Sequence, residues 1–254
     1  MPLLGDPNHA ELIEFMKTIS NKLRKPSAIV VISAHWEERI ATITGAEHPK
    51  MIYDYSGFPE ESYKIKYNAP GNPELAKEVL GAFNENGILA KKDDKRGYDH
   101  GLFIPLMLMY PDANIPCIQI SQLKSLEPRE HIALGKALAK LMEKNILVVG
   151  SGLSFHNMRE FFHKSSEADQ KAIEFNNWLI ETCTDENISE NERERRLSEW
   201  EKTPSGRFCH PREEHLLPLH VCFGIATANN FKAELVFDDL VIGKRASAFL
   251  WKEF

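Results

Sequence analysis

Residues 28 to 32, Ala-Ile-Val-Val-Ile, form an unbroken apolar, mostly β-branched run that continues through Ser33 and Ala34 to His35 and stops on Trp36, Glu37 and Glu38. Strict alternation would mark a strand with one wet face. An unbroken run marks a strand buried on both faces, as in a parallel sheet covered by helices. Functional groups in such sheets gather just beyond the carboxyl ends of the strands, which is where His35 stands. Residues 145–152 repeat the arrangement, Asn-Ile-Leu-Val-Val-Gly-Ser-Gly, and lead to His156-Asn157. A lone histidine after a strand is more often a hydrogen-bonded structural residue, but two such strand ends can face one crevice.

The intervening chain supports an α/β pattern. Asn8, with Glu11 three residues later, has the spacing of a capping box for a helix through Leu23, on which His9 is expected to face solvent. Arg39 to Thr44 alternates like a strand. The following loop, through Tyr53, Asp54, Tyr55, Phe58, Tyr63 and Tyr67, is too long for a simple connection and suits a pocket wall. Asn72-Pro73 opens a helix to about Asn84, with Asn as the cap. A short strand over 88–91 follows, then an apolar helix from Leu102 with His100 at its start, a strand over 116–121, and a helix from Pro128 to about Lys144. Strand, helix, strand, helix, strand is the order that βαβ crossovers require. Two polar helices near 166–183 and 189–201 read as solvent-facing, and 234–237 and 247–251 as closing strands.

With 254 residues and no low-complexity linker, one domain with a sizeable core is expected: α/β, with a mixed, partly parallel central sheet flanked by helices. A net charge of -6, with basic clusters interleaved by acids, gives no attraction to nucleic acid or an anionic membrane surface. The longest apolar stretches are too short and too interrupted by Pro or His to span a bilayer. Cys117, Cys183, Cys209 and Cys222 lack paired spacing and no signal peptide is visible, so a reducing cytoplasm is expected.

Residues 209–222, Cys-His-Pro-Arg-Glu-Glu-His-Leu-Leu-Pro-Leu-His-Val-Cys, look at first like one Cys/His metal cluster. On a helix, however, His215 and His220 are separated by roughly 140°, too far to share a metal. His220, among Leu219, Val221 and Phe223, reads as a core residue, and His215 as one that projects into a cleft. His35, His100, His156 and His215 thus all fall at loop or element ends. Such a set suits Zn, Fe or Cu, and spacing alone does not choose between a hydrolytic zinc site and an oxygen-binding iron site.

Several segments together resemble the class III extradiol ring-cleavage dioxygenases, and within them the DOPA 4,5-dioxygenase branch. They are Pro2-Leu3-Leu4-Gly5-Asp6-Pro7, Ser33-Ala34-His35-Trp36, Tyr53-Asp54-Tyr55-Ser56-Gly57-Phe58-Pro59, Tyr67-Asn68-Ala69-Pro70-Gly71, Asp99-His100-Gly101, Ser151-Gly152 with His156-Asn157, and Glu214-His215-Leu216-Leu217-Pro218-Leu219. The resemblance spans nearly the whole chain. It implies a single α/β domain with a mononuclear metal site, Fe(II) for activity with Zn as another occupant, a small catechol and O2 as substrates, and paired subunits. It implies that His35 and His215 are metal ligands, that His156 is a ligand or the base taking a catechol proton, and that His100 donates a proton to the oxygen intermediate. Glu214 is a further candidate for a carboxylate ligand. Members usually carry another ligand in a Ser-His-Gly loop just upstream of the segment that begins here at Met1, so weaker metal binding is expected of the chain as it stands. His9 replaces that ligand only if the first helix moves. A non-catalytic member of the fold and a zinc hydrolase are the rival readings.

Overall fold

The computed structural model describes residues 6–161 and 165–253; of the segments quoted above, Pro2 to Gly5 lie outside them. Helix α1 (Ala10–Ile19) leads into β1 (Ala28–Glu38) and β2 (Ala41–Thr44), followed by α2 (Pro73–Glu85), β3 (Ala90–Asp93), α3 (His100–Met109), β4 (Cys117–Leu123), α4 (Pro128–Ala137) and β5 (Ile146–Ser151). Beyond these come α5 (Met158–Phe161), α6 (Ser166–Thr184), α7 (Glu190–Ser198), α8 (Gly206–Cys209), α9 (Leu217–Ala228), β6 (Lys232–Val241) and β7 (Lys244–Lys252).

The main sheet has the order β3-β2-β4-β1-β5. Strand β1 is parallel to both its neighbours, while β2 and β3 run together and meet β4 antiparallel at Ile43 and Ile120. The chain is therefore a single α/β domain with a mixed, mostly parallel sheet. The unbroken apolar run of β1 is explained by helices on both faces: Val30 and Ile32 pack with Leu75, Val79 and Phe83 of α2, Ile29 and Val31 with Leu102, Phe103 and Leu106 of α3.

Near its carboxyl end β1 leaves its ladders over residues 34–36 and pairs with β4 again at Glu37 and Glu38. Its pairing with β5 ends at Ser33 and Ser151, and its register with β4 shifts between Ile32 and Glu37. Backbone around His35 is thereby released from regular pairing at the point where a crevice opens.

Several local expectations are corrected. Asp6, not Asn8, accepts the capping bond at the chain's first turn, and His9 is buried against Asp6 (Nδ1 to Oδ2 3.0 Å) instead of facing solvent. Helix α4 ends at Ala137, and a 3-10 segment carries the chain to Lys144. Helices α6 and α7 are not merely solvated: Phe175, Leu179 and Leu197 join Trp200, Phe155 and Phe223 in a second core. Strands β6 and β7 do not close the main sheet but pair with each other, through a turn in which Ile242 and Gly243 both have positive φ.

The Asn72 cap does form, its Oδ1 accepting the Leu75 N–H at 3.0 Å. Asn72→Ala is expected to cost about 1 kcal/mol in urea unfolding.

Candidate metal centre

Four elements deliver one histidine each to the crevice. His35 lies in the unpaired stretch of β1, His100 is the first residue of α3, His156 follows β5, and His215 precedes α9. Their rings form a continuous row. The centroids of His35 and His100 are 3.8 Å apart, those of His35 and His215 5.0 Å, and His156 stacks on His215 at 3.3 Å. All four site histidines inferred from the sequence are thus brought together. His220 is not: it is fully buried, its ring nitrogens facing the carbonyls of Leu216 (3.2 Å) and Leu197 (2.9 Å), as a core residue should. His9 remains beside Asp6.

Local structure explains each placement. Asp99 caps α3 by accepting the Gly101 N–H at 3.0 Å, which puts His100 at the mouth of the helix. A side chain at residue 101 would come within 2.3 Å of Ser33 Oγ, so glycine is needed for α3 to approach β1. His156 is tied down by its N–H to the Cys209 carbonyl (3.0 Å) and by the adjacent Asn157 side chain, which donates to the Phe208 carbonyl (2.7 Å). Gly152 lets β5 pass under the His215 turn, where a Cβ would meet the His215 carbonyl at 2.2 Å.

Two carboxylates flank the row. Asp54 Oδ1 accepts from His100 Nδ1 at 2.9 Å and from its backbone N–H at 3.0 Å. Glu214 Oε1 lies 3.5 Å from His156 Nδ1. Burial alone would raise both carboxyl pKa values, but the bonds and charge from the neighbouring histidine hold each below its ordinary value. Although part of its surface is open to the cleft, His35 is packed deeply enough that desolvation, reinforced by the charge of His100, lowers its pKa to about 4. Burial and then the charge of His156 push His215 well below the usual imidazole value.

The donor set fits a metal ion. Neutral imidazoles offer lone pairs, and His215 Nδ1 is buried with no hydrogen-bond partner. Two groups have ligand atoms all within 4.8 Å of one another: His35 with Asp54 and His100, and His156 with Glu214 and His215. Each is two histidines and a carboxylate, a combination suited to non-haem iron with open positions.

The chain matches the family model described as the catalytic LigB subunit of aromatic ring-opening dioxygenase over residues 4–246. It belongs to this family. It is 36% identical over 237 residues to the 4,5-DOPA dioxygenase extradiol of Mirabilis jalapa, covering 92% of this chain and 86% of that protein. It is 38% identical to the corresponding Beta vulgaris protein, covering 92% and 87% of the two chains, and 38% identical to the dioxygenase tasH of Hapsidospora irregularis, covering 89% and 74%. The crystal structure of an uncharacterized Escherichia coli K12 protein superposes with a TM-score of 0.77 at 28% identity, over 93% of this chain and 90% of that one. The chain is therefore a non-haem, metal-dependent ring-cleaving dioxygenase of the extradiol type.

Part of the aromatic loop packs against this LigB-family site. Tyr53, Tyr55, Phe58 and Tyr63 interlock with one another and with Phe103, and Tyr55 meets the His100 ring edge-on at 5.6 Å. The Tyr53 and Tyr55 hydroxyls each donate to a carbonyl of their own loop, Ile65 and Ser62, at 2.6 Å. Tyr67 belongs instead to the core, its hydroxyl donating to the Tyr110 carbonyl at 3.1 Å.

Asp54 is the residue that the sequence reading passed over. It stands inside a quoted motif, 46 residues before the histidine it contacts, and only folding shows the pairing. Asp54→Asn is expected to lower turnover about tenfold to a hundredfold with little change in melting temperature, read by oxygen uptake and circular dichroism.

Proposed function

We propose that this chain is an Fe(II)-dependent dioxygenase that opens the ring of a small catechol with O2, with His35 and His215 as metal ligands and His156 beside them as a third ligand or as the base. The observation that carries this reading is the contiguous row His100-His35-His215-His156 with its buried, unpartnered His215 Nδ1. Bound Fe(II) supplies the redox chemistry that joins O2 to the catechol; zinc has none, so a zinc-loaded sample is inactive without contradicting the assignment.

The protein's own groups serve orientation and proton transfer. Glu214 beside His156 Nδ1 keeps the proton on that nitrogen and leaves Nε2 as the acceptor for a catechol proton. Asp54 holds the His100 ring through Nδ1 and so orients His100 as the proton donor. Acid and base groups of this kind contribute on the order of 10² to 10⁴ in rate. The Tyr53-Tyr55-Tyr63-Phe103 wall supplies an apolar face for an aromatic ring.

No helix among the described residues is long and apolar enough to cross a membrane. Its four cysteines are free thiols, three of them buried, which supports a place in a reducing cytoplasm.

Fe(II) is added anaerobically, followed by a panel of catechols and air-saturated buffer. Oxygen uptake with a yellow ring-opened product is expected. Failure of the Fe(II)-loaded protein to take up oxygen with any of the catechols, or chelator-sensitive hydrolysis independent of oxygen, overturns the reading.

A further inference from the structure

Behind the histidines lies a chain of buried polar side chains that touches three of the four segments bearing them. Ser33, Asp99, Gln119 and Gln122 have no exposed surface. Ser33 is the hub. Its hydroxyl donates to Asp99 Oδ1 at 2.8 Å and accepts the His35 N–H at 3.1 Å, and its carbonyl accepts from Gln122 Nε2 at 3.3 Å. The same Gln122 nitrogen donates to the carbonyl of Glu214, immediately before His215, at 2.6 Å. Asp99 in turn caps the helix that begins with His100, and its second oxygen is held by Arg96 at 3.0 Å and by Gln119.

From this connectivity we infer that Asp99, Ser33 and Gln122 form a buried strut of positioning residues that sets the spacing of His35, His100 and His215, and so the affinity of the metal centre. The inference rests on the reading of that centre given above. Three features favour a positioning role over simple core filling. First, Gln122 uses both amide hydrogens on main-chain carbonyls from different elements; a flipped amide would set oxygen against oxygen, so its orientation is forced. Second, an apolar side chain at residue 33 would leave both the His35 N–H and one Asp99 oxygen without that partner in a dry site, where unmade bonds are costly. Third, the strut brackets residues 34–36, the stretch of β1 with no partner in either ladder: Ser33 is its last rung with β5, and Gln122 pairs with Glu37 where the β4 ladder resumes. Side chains there replace the main-chain bonds that would otherwise fix the strand.

The test uses Gln122→Met, close in size but without donors, Ser33→Ala, which removes only the hydroxyl, and Asn176→Ala as a control. Asn176 is 2% exposed and bonds Asp238 at 2.9 Å, a buried polar pair between α6 and β6 that is not part of the strut. Co(II) binding to the whole protein is followed by its visible bands, together with melting temperature. Q122M and S33A are expected to weaken Co(II) binding about tenfold to a hundredfold and to alter the bands, whereas N176A lowers the melting temperature with binding and bands unchanged. Wild-type affinity and bands in both strut variants would overturn the inference. Should Q122M fail to fold, Q122N, whose shorter side chain cannot reach both carbonyls, takes its place.

Absence of Co(II) binding by the wild-type protein would instead sink the metal-centre reading. The strut is then decided by proton-proton Overhauser contacts between the His35 and His100 rings. Their loss in S33A and Q122M supports it and their survival refutes it.

Discussion

His215→Ala is expected to abolish stoichiometric metal uptake and to lower oxygen consumption at least about 10³-fold, equivalent to ~4 kcal/mol of transition-state stabilisation. The ring is almost wholly buried, stacks on His156 and leaves Nδ1 without a partner, so it has no hydrogen-bonding duty that the fold would miss. Its removal deletes a donor at the middle of the row, and the burial that keeps its lone pair unprotonated goes with it. The informative contrast is His220→Ala, five residues on. That ring bonds the main chain of Leu197, 23 residues away, and lies in the core, so its loss should cost about 1 to 3 kcal/mol of stability while metal binding persists. Calorimetric titration with Fe(II) under nitrogen, paired with urea unfolding, separates the two. Equal metal affinity in H215A and the wild type would remove His215 from the ligand set.

Acid should destabilise the protein progressively from about pH 6.5 downward. His131 is fully buried in α4, where its Nε2 accepts the Leu123 N–H at 3.1 Å and its Nδ1 faces the Glu127 carbonyl at 2.8 Å; these contacts fix the neutral tautomer. Burial lowers its pKa to about 4, and does the same to His210, whose Nε2 bonds the Ser154 carbonyl. In the unfolded chain both imidazoles titrate near 6.5, so between the two values the unfolded state holds more protons and stability falls as the pH is lowered. The contribution is fully present above about pH 6.5 and is lost as pH drops toward 4, at up to ~3 kcal/mol for each ring. Against a total of roughly 5–15 kcal/mol, two such groups remove much of the margin. Urea midpoints at pH 7.5, 6, 5 and 4.5 should decline steeply. His131→Gln should be less stable at pH 7.5 but show a shallower decline; an unchanged slope would count against His131 as one of the groups responsible.

Much of this protein was determined by sequence alone. The β-branched run ending at His35 specifies a strand buried on both faces, because helices must cover both sides of a sheet that offers no polar face. Asn72-Pro73 and Pro128 mark helix starts through chemistry local to one turn, and the 140° separation of His215 and His220 follows from helical geometry. The segments around His35, His100, His156 and His215 point to an extradiol site before any coordinate is known. What a pattern of period two or 3.6 cannot convey is which partner an element chooses. Strands β6 and β7 have ordinary strand character, yet pair with each other because the positive-φ turn at Ile242-Gly243 joins them as a hairpin. Tyr67 and His9 have polar atoms, yet are buried, because Tyr110 and Asp6 happen to meet them. The same holds at the metal centre. Asp54 and His100, Ser33 and Asp99, and Gln122 and Glu214 are 46, 66 and 92 residues apart, and each pair becomes a hydrogen bond only when the crevice closes around it. Ligand identity is written in side-chain type, whereas ligand spacing is set by long-range contacts that cost chain entropy to form and exist only in the folded state.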